Sequence, residues 1–360
     1  MIKMPEIGDP LPWVDVPTTR EELLPLKGLA GHGVVITSAG SGINTAALFA
    51  ALERCAPVLG GHSAYWLAIM TPDQADTELK TLANPWARVI VDADGAVRRA
   101  LGIADSHAGL VSLETDPSLR VVAAIQHTGD DAIAGAEAWL TQRLADTGER
   151  RQETDAPVIL IPDVIEAELR DALMKAWDGG PHEASGYLRE NADGGVTHVI
   201  NPNRKRRSDL FLEESVPLAA QVHARIRARV APWLERATHF KIGFAERYRI
   251  ACYDAESAGF FAPHRDFTEA SPHRHFAMTI ALNDGFEGGA LRFPEFGARE
   301  YTLRPGQAIV YSGGLLHEVT PMTRGRRFAL INFLTNGEGA RNVAAYQRDH
   351  GAAPERKTAG

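Results

Sequence analysis

Two histidines and one aspartate in this chain are spaced as ligands of a metal ion. His264 and Asp266 form a His-x-Asp pair in FFAPHRDF, and His317 follows about fifty residues later in LLHEVTP. Two imidazoles and one carboxylate make the facial triad that binds Fe(II) through one face and leaves its other positions open. Because residues i and i+2 of a strand share a face, the pair suits one strand and the distal histidine must come from another.

A basic residue follows the distal histidine at a regular distance. Arg327 lies ten residues beyond His317, in TRGRRFALINFL. A guanidinium can hold a carboxylate through two parallel hydrogen bonds. A dicarboxylate such as 2-oxoglutarate could therefore bind the metal at one end and this arginine at the other. The four residues together indicate an iron enzyme that activates O2 with 2-oxoglutarate.

The order of the surrounding segments resembles a known family. YDAESAGFFAPHRD, TIALNDGFEGGALRFPE, LRPGQAIVYSGGLLHEVTP and TRGRRFALINF follow one another along the chain. They resemble the 2-oxoglutarate/Fe(II)-dependent dioxygenases, in particular the prolyl-4-hydroxylase-like branch, over about residues 157–340. The resemblance implies that His264, Asp266 and His317 bind the iron. It also implies that Arg327, in the pattern H-x-V-x-P-x-T-x-G-x-R, binds 2-oxoglutarate.

Residues near the predicted ligands refine this expectation. Tyr253 matches a tyrosine that often hydrogen-bonds the cosubstrate, although it lies one residue farther from the first histidine. Its alternative role is a core tyrosine with a satisfied hydroxyl. Related halogenases have a small residue where this chain keeps Asp266, so hydroxylation or another oxidation is expected. Arg324 and Arg326 lack the spacing that the pattern requires and are predicted to be turn or surface charges.

The cofactors and substrates follow from the same resemblance. The resemblance implies Fe(II), 2-oxoglutarate and O2, and it allows ascorbate as a further cofactor. The products would be succinate, CO2 and a hydroxylated substrate. Such barrels act on proteins, peptides, free amino acids and other small molecules, so the substrate stays open. The basic segment NPNRKRRSDLFLEE is the best candidate for a substrate-side loop. It could hold an acidic substrate or a peptide, or it could be a solvated charge run.

The C-terminal half shows strand patterns separated by turn signals. The strand-like segments are FAERYRIACY, FAMTIALN, ALRFP, QAIVYS, HEVT and RRFALINFL. Short strands with regular turns indicate a jelly roll, and helical patterns at about residues 163–177 and 213–236 precede them. The prediction is an α+β double-stranded β-helix with flanking helices over residues 157–340. A flexible tail is predicted at residues 341–360.

Five residues near the site have ordinary explanations beside functional ones. His273 and His275 could contact substrate or metal ligands, but a strand cap or loop role is favoured. Gly288 and Gly289 are predicted to permit a tight strand entry or a close backbone approach. Asn332 could face the pocket or satisfy backbone groups.

Residues 1–148 show alternating strands and helices in the order β-α-β-(α)-β-α-β-β-α. This order, with IGDPLPWVDVP and VDADGAVRRALGI, resembles the peroxiredoxin version of the α/β thioredoxin-like fold. A peroxiredoxin needs a thiolate at the helix start after the first core strand, and that place reads ITSAGSGIN. Cys55 lies at the far end of the helix, where carbonyl dipoles would raise its pKa. The domain is predicted to be redox-inactive and to cover the oxygenase, form a dimer surface or dock a substrate.

Composition sets the remaining bounds. The net charge of −8 argues against nucleic-acid affinity, and no apolar stretch is long enough to span a membrane. MIKMPEIGDPLPW lacks the features of a secretory signal, and two cysteines cannot form a disulfide framework. A cytoplasmic location is therefore expected, a homodimer is allowed, and the polar stretch at residues 149–156 is the predicted linker.

Two other functions stay open at this point. One is a thiol-redox protein of the peroxiredoxin type with an accessory barrel, against which the missing cysteine argues. The other is a non-catalytic binding scaffold, against which the complete ligand set and Arg327 argue.

Overall fold

The computed structural model describes residues 6–20, 23–75, 82–104, 106–150, 154–190, 196–213, 215–268, 271–339 and 341. The chain divides into two units. The N-terminal unit comprises residues 1–154 with the segment 294–297, and the C-terminal unit comprises residues 155–293 and 298–360. The division falls within the stretch predicted to be the linker. The predicted tail lies outside the described residues, except for residue 341.

The N-terminal unit is a mixed sheet with helices. Its strands are β1 (Asp15–Pro17), β2 (Leu23–Pro25), β3 (Gly33–Ala39), β4 (Ala64–Met70), β5 (Ala87–Val91), β6 (Leu110–Thr115) and β7 (Val121–His127). Its helices are α1 (Thr45–Arg54), α2 (Ala56–His62), α3 (Ala96–Ala100) and α4 (Ala132–Arg150), with 3-10 turns at Leu26–Leu29 and Pro294–Phe296. The main sheet has the order β5-β4-β3-β6-β7. Strands β5, β4 and β3 are parallel to one another, and β6 is antiparallel to both of its neighbours, β3 and β7. This is the predicted thioredoxin-like arrangement.

Burial on both faces explains the sequence of the central strands. β4 reads AYWLAIM, and a parallel strand covered on both sides needs such a continuous apolar run. One face of the sheet packs against α1, α2 and α4. Helix α2 was not predicted, because APVLGGH contains a proline and two glycines, which are weak helix formers. The optional helix predicted between β4 and β5 falls partly on residues 76–81, which lie outside the described residues.

The described residues of the C-terminal unit form short strands and several helices. Its helices are α5 (Ala167–Gly179), α6 (Pro217–Arg225) and α7 (Ala231–Thr238), with a π turn at Ile226–Val230 and a 3-10 turn at Ala255–Ser257. Its strands are β8 (Val158–Ile161), β9 (Glu183–Ala184), β10 (Tyr187–Glu190), β11 (Val196–Val199), β12 (Lys205–Arg206), β13 (Ser208–Phe211), β14 (Phe244–Ala245), β15 (Arg249–Asp254), β16 (Phe260–His264), β17 (Phe276–Ala281), β18 (Glu287–Gly288), β19 (Leu291–Arg292), β20 (Glu300–Tyr301), β21 (Ala308–Ser312), β22 (His317–Val319), β23 (Met322–Arg324) and β24 (Arg326–Thr335). None of the helices in the described parts of the chain is long and apolar enough to cross a membrane.

Two antiparallel sheets organise these strands. The larger has the order β8-β21-β17-β24-β15-β13-β9, with β14 also paired to β24, and the smaller has the order β12-β16-β22-β19-β20. Two further strand pairs are β10-β11 and β18-β23. The arrangement is the predicted double-stranded β-helix with flanking helices.

Alternation along β24 separates an apolar core from a polar cavity. Phe328, Leu330 and Leu334 face the core formed with the three helices. Arg327 and Ile331 point the other way and line a cavity. Since successive strand residues face opposite sides of a sheet, the same strand holds the helices in place and supplies the cavity wall.

Two helix boundaries differ from the predicted ones. The sequence predicts a helix from about residue 163, but α5 begins at Ala167. Asp163 has a φ of +50°, in the left-handed region, and therefore cannot lie in the first helical turn. The helix predicted from residue 213 begins at Pro217 and passes through the π turn before α7.

Candidate metal centre and cavity

The three predicted metal ligands meet where two strands of the smaller sheet pair. β16 ends at His264 and β22 begins at His317, and the two residues are register partners. Asp266 follows two residues after the end of β16. The candidate ligand atoms of the three side chains all lie within 4.8 Å of one another. The fold therefore brings together a pair and a residue that are distant in the sequence.

Backbone carbonyls fix the orientation of both imidazoles. Nδ1 of His264 lies 2.8 Å from the carbonyl oxygen of Ala262, and Nδ1 of His317 lies 3.0 Å from that of Leu315. Because a carbonyl only accepts, each Nδ1 donates and each Nε2 keeps its lone pair for a metal. The two Nε2 atoms lie 3.8 and 3.2 Å from oxygens of Asp266. Bonds of this kind from the far ring nitrogen are typical of metal-binding histidines.

Burial and neighbouring charges favour the metal-binding protonation states. Burial, and then the neighbouring His317, lowers the pKa of His264 well below its usual value, so that ring is neutral. Burial alone would raise the pKa of Asp266, but the two histidines outweigh it and hold that pKa below its usual range. A metal site needs a neutral imidazole and an ionised carboxylate, and both are present at neutral pH. The donor set therefore fits Fe(II).

Arg327 is buried in the same cavity with an unsatisfied nitrogen. It is 8% exposed, and its Nη1 has no hydrogen-bond partner among the described residues. It is the register partner of Tyr253 on β15, and its Cζ lies 5.2 Å from the centroid of that ring. A buried donor without a partner costs free energy, so this guanidinium fits an anionic ligand such as a carboxylate of 2-oxoglutarate.

Tyr253 is a buried tyrosine with a bonded hydroxyl, which is one of its two expected roles. The residue is 1% exposed, and its hydroxyl accepts a hydrogen bond of 3.3 Å from Nη1 of Arg207. It also lines the cavity. Its contact with a cosubstrate stays a prediction.

The other candidates near the site have structural roles. His273 bonds Glu246 at 2.9 Å, and Nδ1 of His275 bonds the carbonyl of His273 at 3.0 Å. Asn332 is buried and donates to the carbonyl of Glu246. Arg324 is exposed and pairs with Glu287 at 2.9 Å, as expected for a surface charge.

A side chain at Gly289 would reach the predicted cosubstrate arginine, so a substitution there tests the packing around Arg327. It has a φ of +63°, and a Cβ there would overlap Sδ of Met322 and lie 3.2 Å from Cδ of Arg327. Gly289→Ala should cost about 1–2 kcal/mol of backbone strain and a further ~1–3 kcal/mol of overpacking, and should weaken 2-oxoglutarate binding. Denaturant unfolding and titration with 2-oxoglutarate measure the two effects.

Gly285→Ala is the matched control for this prediction. Gly285 also has a positive φ, of +78°, but nothing lies within 4 Å of its would-be Cβ. It should show the backbone cost without the loss of affinity. Equal losses in both variants would contradict the contact argument.

Basic residues that were not singled out line the same cavity. The cavity has a volume of about 310 Å³, and Lys205, Arg207, Arg249 and Arg274 line it together with the predicted site residues. The basic segment signalled the first two by charge, although their burial could not be read from it. Arg249 shares a strand face with Tyr253, four residues away, and this period-2 spacing was the available signal.

Comparison with known proteins finds a family match within this region. Residues 248–335 match the family model of the 2OG-Fe(II) oxygenase superfamily. The match confirms the predicted resemblance over the segment that contains Tyr253, the three candidate metal ligands and Arg327.

Relatives of the oxygenase region include two hydroxylases. A PKHD-type hydroxylase of Pseudomonas fluorescens is 32% identical over 151 residues, covering 38% of this chain and 64% of that protein. One of Saccharophagus degradans is 28% identical over 156 residues, covering 40% of this chain and 66% of that protein. The chain thus spans less than two thirds of the length of these relatives. Among solved structures, Xanthomonas campestris peroxiredoxin Q is 16% identical with a TM-score of 0.32, covering 39% of this chain and 99% of that one.

The N-terminal unit has no thiol where a peroxiredoxin would need one. β3 ends at Ala39, and Asn44 caps α1 by accepting from the backbone of Ala47 at 3.0 Å. Cys55 lies at the other end of α1, is 3% exposed, and has a pKa raised to about 11 by burial and by Glu137. The cause differs from the predicted helix dipole, because α2 begins immediately after Cys55 and its N-terminus opposes that dipole.

Cys55→Ser should leave succinate production unchanged, and the wild type should show no thiol-peroxidase turnover. The thiol is buried and its raised pKa keeps it protonated at neutral pH, whereas the thiolate is the reactive form. Peroxide consumption with a thiol reductant, measured beside succinate release, checks both statements. Rapid peroxide consumption by the wild type that disappears in Cys55→Ser would contradict the prediction that this domain is redox-inactive.

Proposed function

We propose that this chain is an Fe(II)- and 2-oxoglutarate-dependent dioxygenase that hydroxylates a C–H bond and releases succinate and CO2. The observation that carries this proposal is that His264, Asp266 and His317 line one cavity with a buried Arg327 whose Nη1 has no hydrogen-bond partner among the described residues. The match of residues 248–335 to the oxygenase family model supports it.

Each residue has a defined task in the proposed reaction. His264, Asp266 and His317 would hold Fe(II), and Arg327 would hold the far carboxylate of 2-oxoglutarate. Bound iron and cosubstrate would supply the oxidising power for attack on the C–H bond. The carbonyl bonds to both Nδ1 atoms keep the imidazoles in the metal-binding tautomer. The low exposure of Asp266 and Arg327 keeps water from competing for these charges.

The proposal specifies the substrate less closely than the metal and the cosubstrate. A peptide, a protein or an amino-acid-like molecule is proposed as substrate, and the two relatives carry the name hydroxylase. A cytoplasmic location, a lack of nucleic-acid and membrane partners, and a homodimer remain proposals. So does the N-terminal unit's role in docking, covering or dimerisation.

The test is a stepwise reconstitution. Fe(II) and then 2-oxoglutarate are added to metal-free protein without O2, and binding of each is followed by absorption spectroscopy and calorimetry. O2 is then admitted, and succinate is measured with pools of peptides, amino acids and small acids. We expect 2-oxoglutarate binding that depends on metal and succinate release that depends on both. Failure of 2-oxoglutarate to bind the iron-loaded protein would refute the proposal.

A further inference from the structure

Among the basic side chains that line the cavity, four with low exposure are called the cationic wall: Lys205, Arg207, Arg249 and Arg274. Their exposure is low, with 5% for the residue Lys205 and 5%, 12% and 16% for the side chains of Arg207, Arg249 and Arg274. Burying four cations together is expensive unless anions compensate them. The compensation present in the protein therefore decides what the wall can bind.

Two carboxylates compensate part of this charge. Asp209 takes a two-point ion pair from Arg207, with both N–O distances at 2.7 Å. Glu246 accepts from Arg274 at 2.6 and 2.9 Å and from Arg249 at 3.1 Å. Since two carboxylates face four basic side chains, the described residues leave the wall with an excess positive charge. The excess is +2 when Lys205 is protonated and +1 when it is neutral.

Unused donors show where an anion would be received. Nε of Arg249 has no hydrogen-bond partner among the described residues. Nζ of Lys205 donates to the carbonyl of Gly186 at 2.7 Å, and an ammonium has three donor hydrogens in all. Burial, and then the charge of Arg207, lowers the pKa of Lys205 well below its usual value. An anion beside it would reverse that shift and satisfy the donors.

The cosubstrate does not account for this excess. Fe(II) with one carboxylate ligand carries a single positive charge, and Arg327 adds a second. These two charges balance the two carboxylates of 2-oxoglutarate. The four basic residues of the wall and their two acidic partners lie outside that balance.

The register of two strands separates Arg249 of the wall from the cosubstrate arginine, whereas Arg207 reaches Tyr253, the register partner of Arg327. On β24, Arg327 pairs with Tyr253, and Ile331 pairs with Arg249. Four residues along a strand correspond to about 13 Å between Cα atoms, so the two arginines belong to different parts of the cavity. The wall is nevertheless close to the metal ligands. Nζ of Lys205 lies 4.5 Å from the centroid of the Phe261 ring, on which the imidazole of His264 stacks at 3.4 Å.

We propose that the cationic wall is an oxyanion subsite that binds a carboxylate or phosphate group of the oxidised substrate. This inference rests on the proposed oxygenase function and narrows its substrate to an acid. The group would occupy the space between Lys205 and Arg249, while the C–H bond to be oxidised faces the metal ligands. A neutral analogue would leave buried charges uncompensated and would bind poorly.

The test uses small anions on protein whose cosubstrate site is already filled. Protein is loaded with Mn(II), which replaces Fe(II) without turnover, and saturated with 2-oxoglutarate. Acetate, inorganic phosphate and neutral acetamide are then titrated by calorimetry. We expect acetate or phosphate to bind at least tenfold more tightly than acetamide. Whichever of acetate and phosphate binds more tightly indicates whether the substrate carries a carboxylate or a phosphate group. Equal binding of acetate, phosphate and acetamide would overturn the inference.

Variants locate the binding at the wall. Arg249→Gln and Lys205→Met should each weaken binding of the preferred anion by tenfold or more, and either one suffices if the other does not fold. Arg324→Gln, which removes an exposed arginine outside the cavity, is the matched control and should bind as the wild type does. Unchanged anion affinity in both wall variants would refute the subsite. If the wall variants lost affinity for 2-oxoglutarate and kept their affinity for the small anion, the wall would hold the cosubstrate and the subsite inference would be wrong.

The same preparation separates this inference from the proposed function. If the metal-loaded wild type fails to bind 2-oxoglutarate, the oxygenase proposal fails, and the subsite fails with it. If 2-oxoglutarate binds and anions show no preference over acetamide, the subsite alone is wrong.

Discussion

Replacing His317 with alanine is expected to lower succinate release more than about 100-fold while the fold is kept. Removing a side chain that only orients a metal ligand typically costs 10–100-fold in affinity or activity, and loss of the ligand itself should cost more. His317 is 3% exposed, and Nε2 lies 3.2 Å from Asp266. The variant would therefore leave that carboxylate with one neighbouring imidazole, that of His264, in place of two. Metal titration and succinate release measure the loss.

His223→Ala is the matched control for this variant. Nδ1 of His223 lies 2.9 Å from the hydroxyl of Tyr248, on the helical side of the larger sheet and away from the cavity. The His223→Ala variant also removes one imidazole and one hydrogen bond, so it reports the general cost of losing a histidine side chain. Circular dichroism should show both variants folded. Full turnover in His317→Ala would exclude the proposed triad.

The candidate metal site could be predicted because metal-binding chemistry restricts residue type. Few combinations other than two imidazoles and one carboxylate leave Fe(II) open on one face. The strand period predicts His264 and Asp266 on one strand, but β16 ends at His264 and Asp266 lies two residues beyond it. The partner strand of His317 was not readable, because register across a sheet depends on contacts between distant segments. The structure supplies it as a direct pairing of His264 with His317.

The cationic wall, in contrast, could not be predicted from the sequence. Glu246 and Arg274 are 28 residues apart and form a two-point ion pair, which no local pattern announces. Arg249 lies in RIACYD, where alternation predicts the face but not the contacts that a buried guanidinium makes. Charge in a sequence usually indicates solvent exposure. Only the fold shows that Lys205 and Arg207 are buried.

Element boundaries were limited by local conformation and by length. Asp163 before an apolar helical pattern is an ordinary N-terminal signal, yet its positive φ puts the helix start at Ala167. Strands of two residues, such as Lys205–Arg206, are too short to show any alternation. Long segments such as Arg326–Thr335 were predicted because a nearly continuous apolar run spans most of their length.

Arg327→Gln is expected to raise the KM for 2-oxoglutarate by about 10- to 150-fold, with a smaller effect on kcat. A hydrogen bond to a charged group contributes about 1.5–3 kcal/mol, and 1.4 kcal/mol is a factor of ten. Glutamine keeps one donor and most of the volume but loses the charge and the two-point geometry. Because the side chain is proposed to contact the cosubstrate and not the C–H bond, binding of 2-oxoglutarate should suffer more than the chemical step. Steady-state succinate release against 2-oxoglutarate concentration gives both constants.

Arg324→Gln tests whether Arg327 or its neighbour has this role. Arg324 lies three residues upstream, and its side chain is 63% exposed and pairs with Glu287 at 2.9 Å. An exposed pair contributes about 0–1 kcal/mol to stability and reaches no ligand in the cavity, so its KM should stay within about twofold of wild type. A larger effect at Arg324 than at Arg327 would mean that the assignment along this segment is shifted. A larger effect at Arg249 would move the cosubstrate to the cationic wall and leave Arg327 to the substrate.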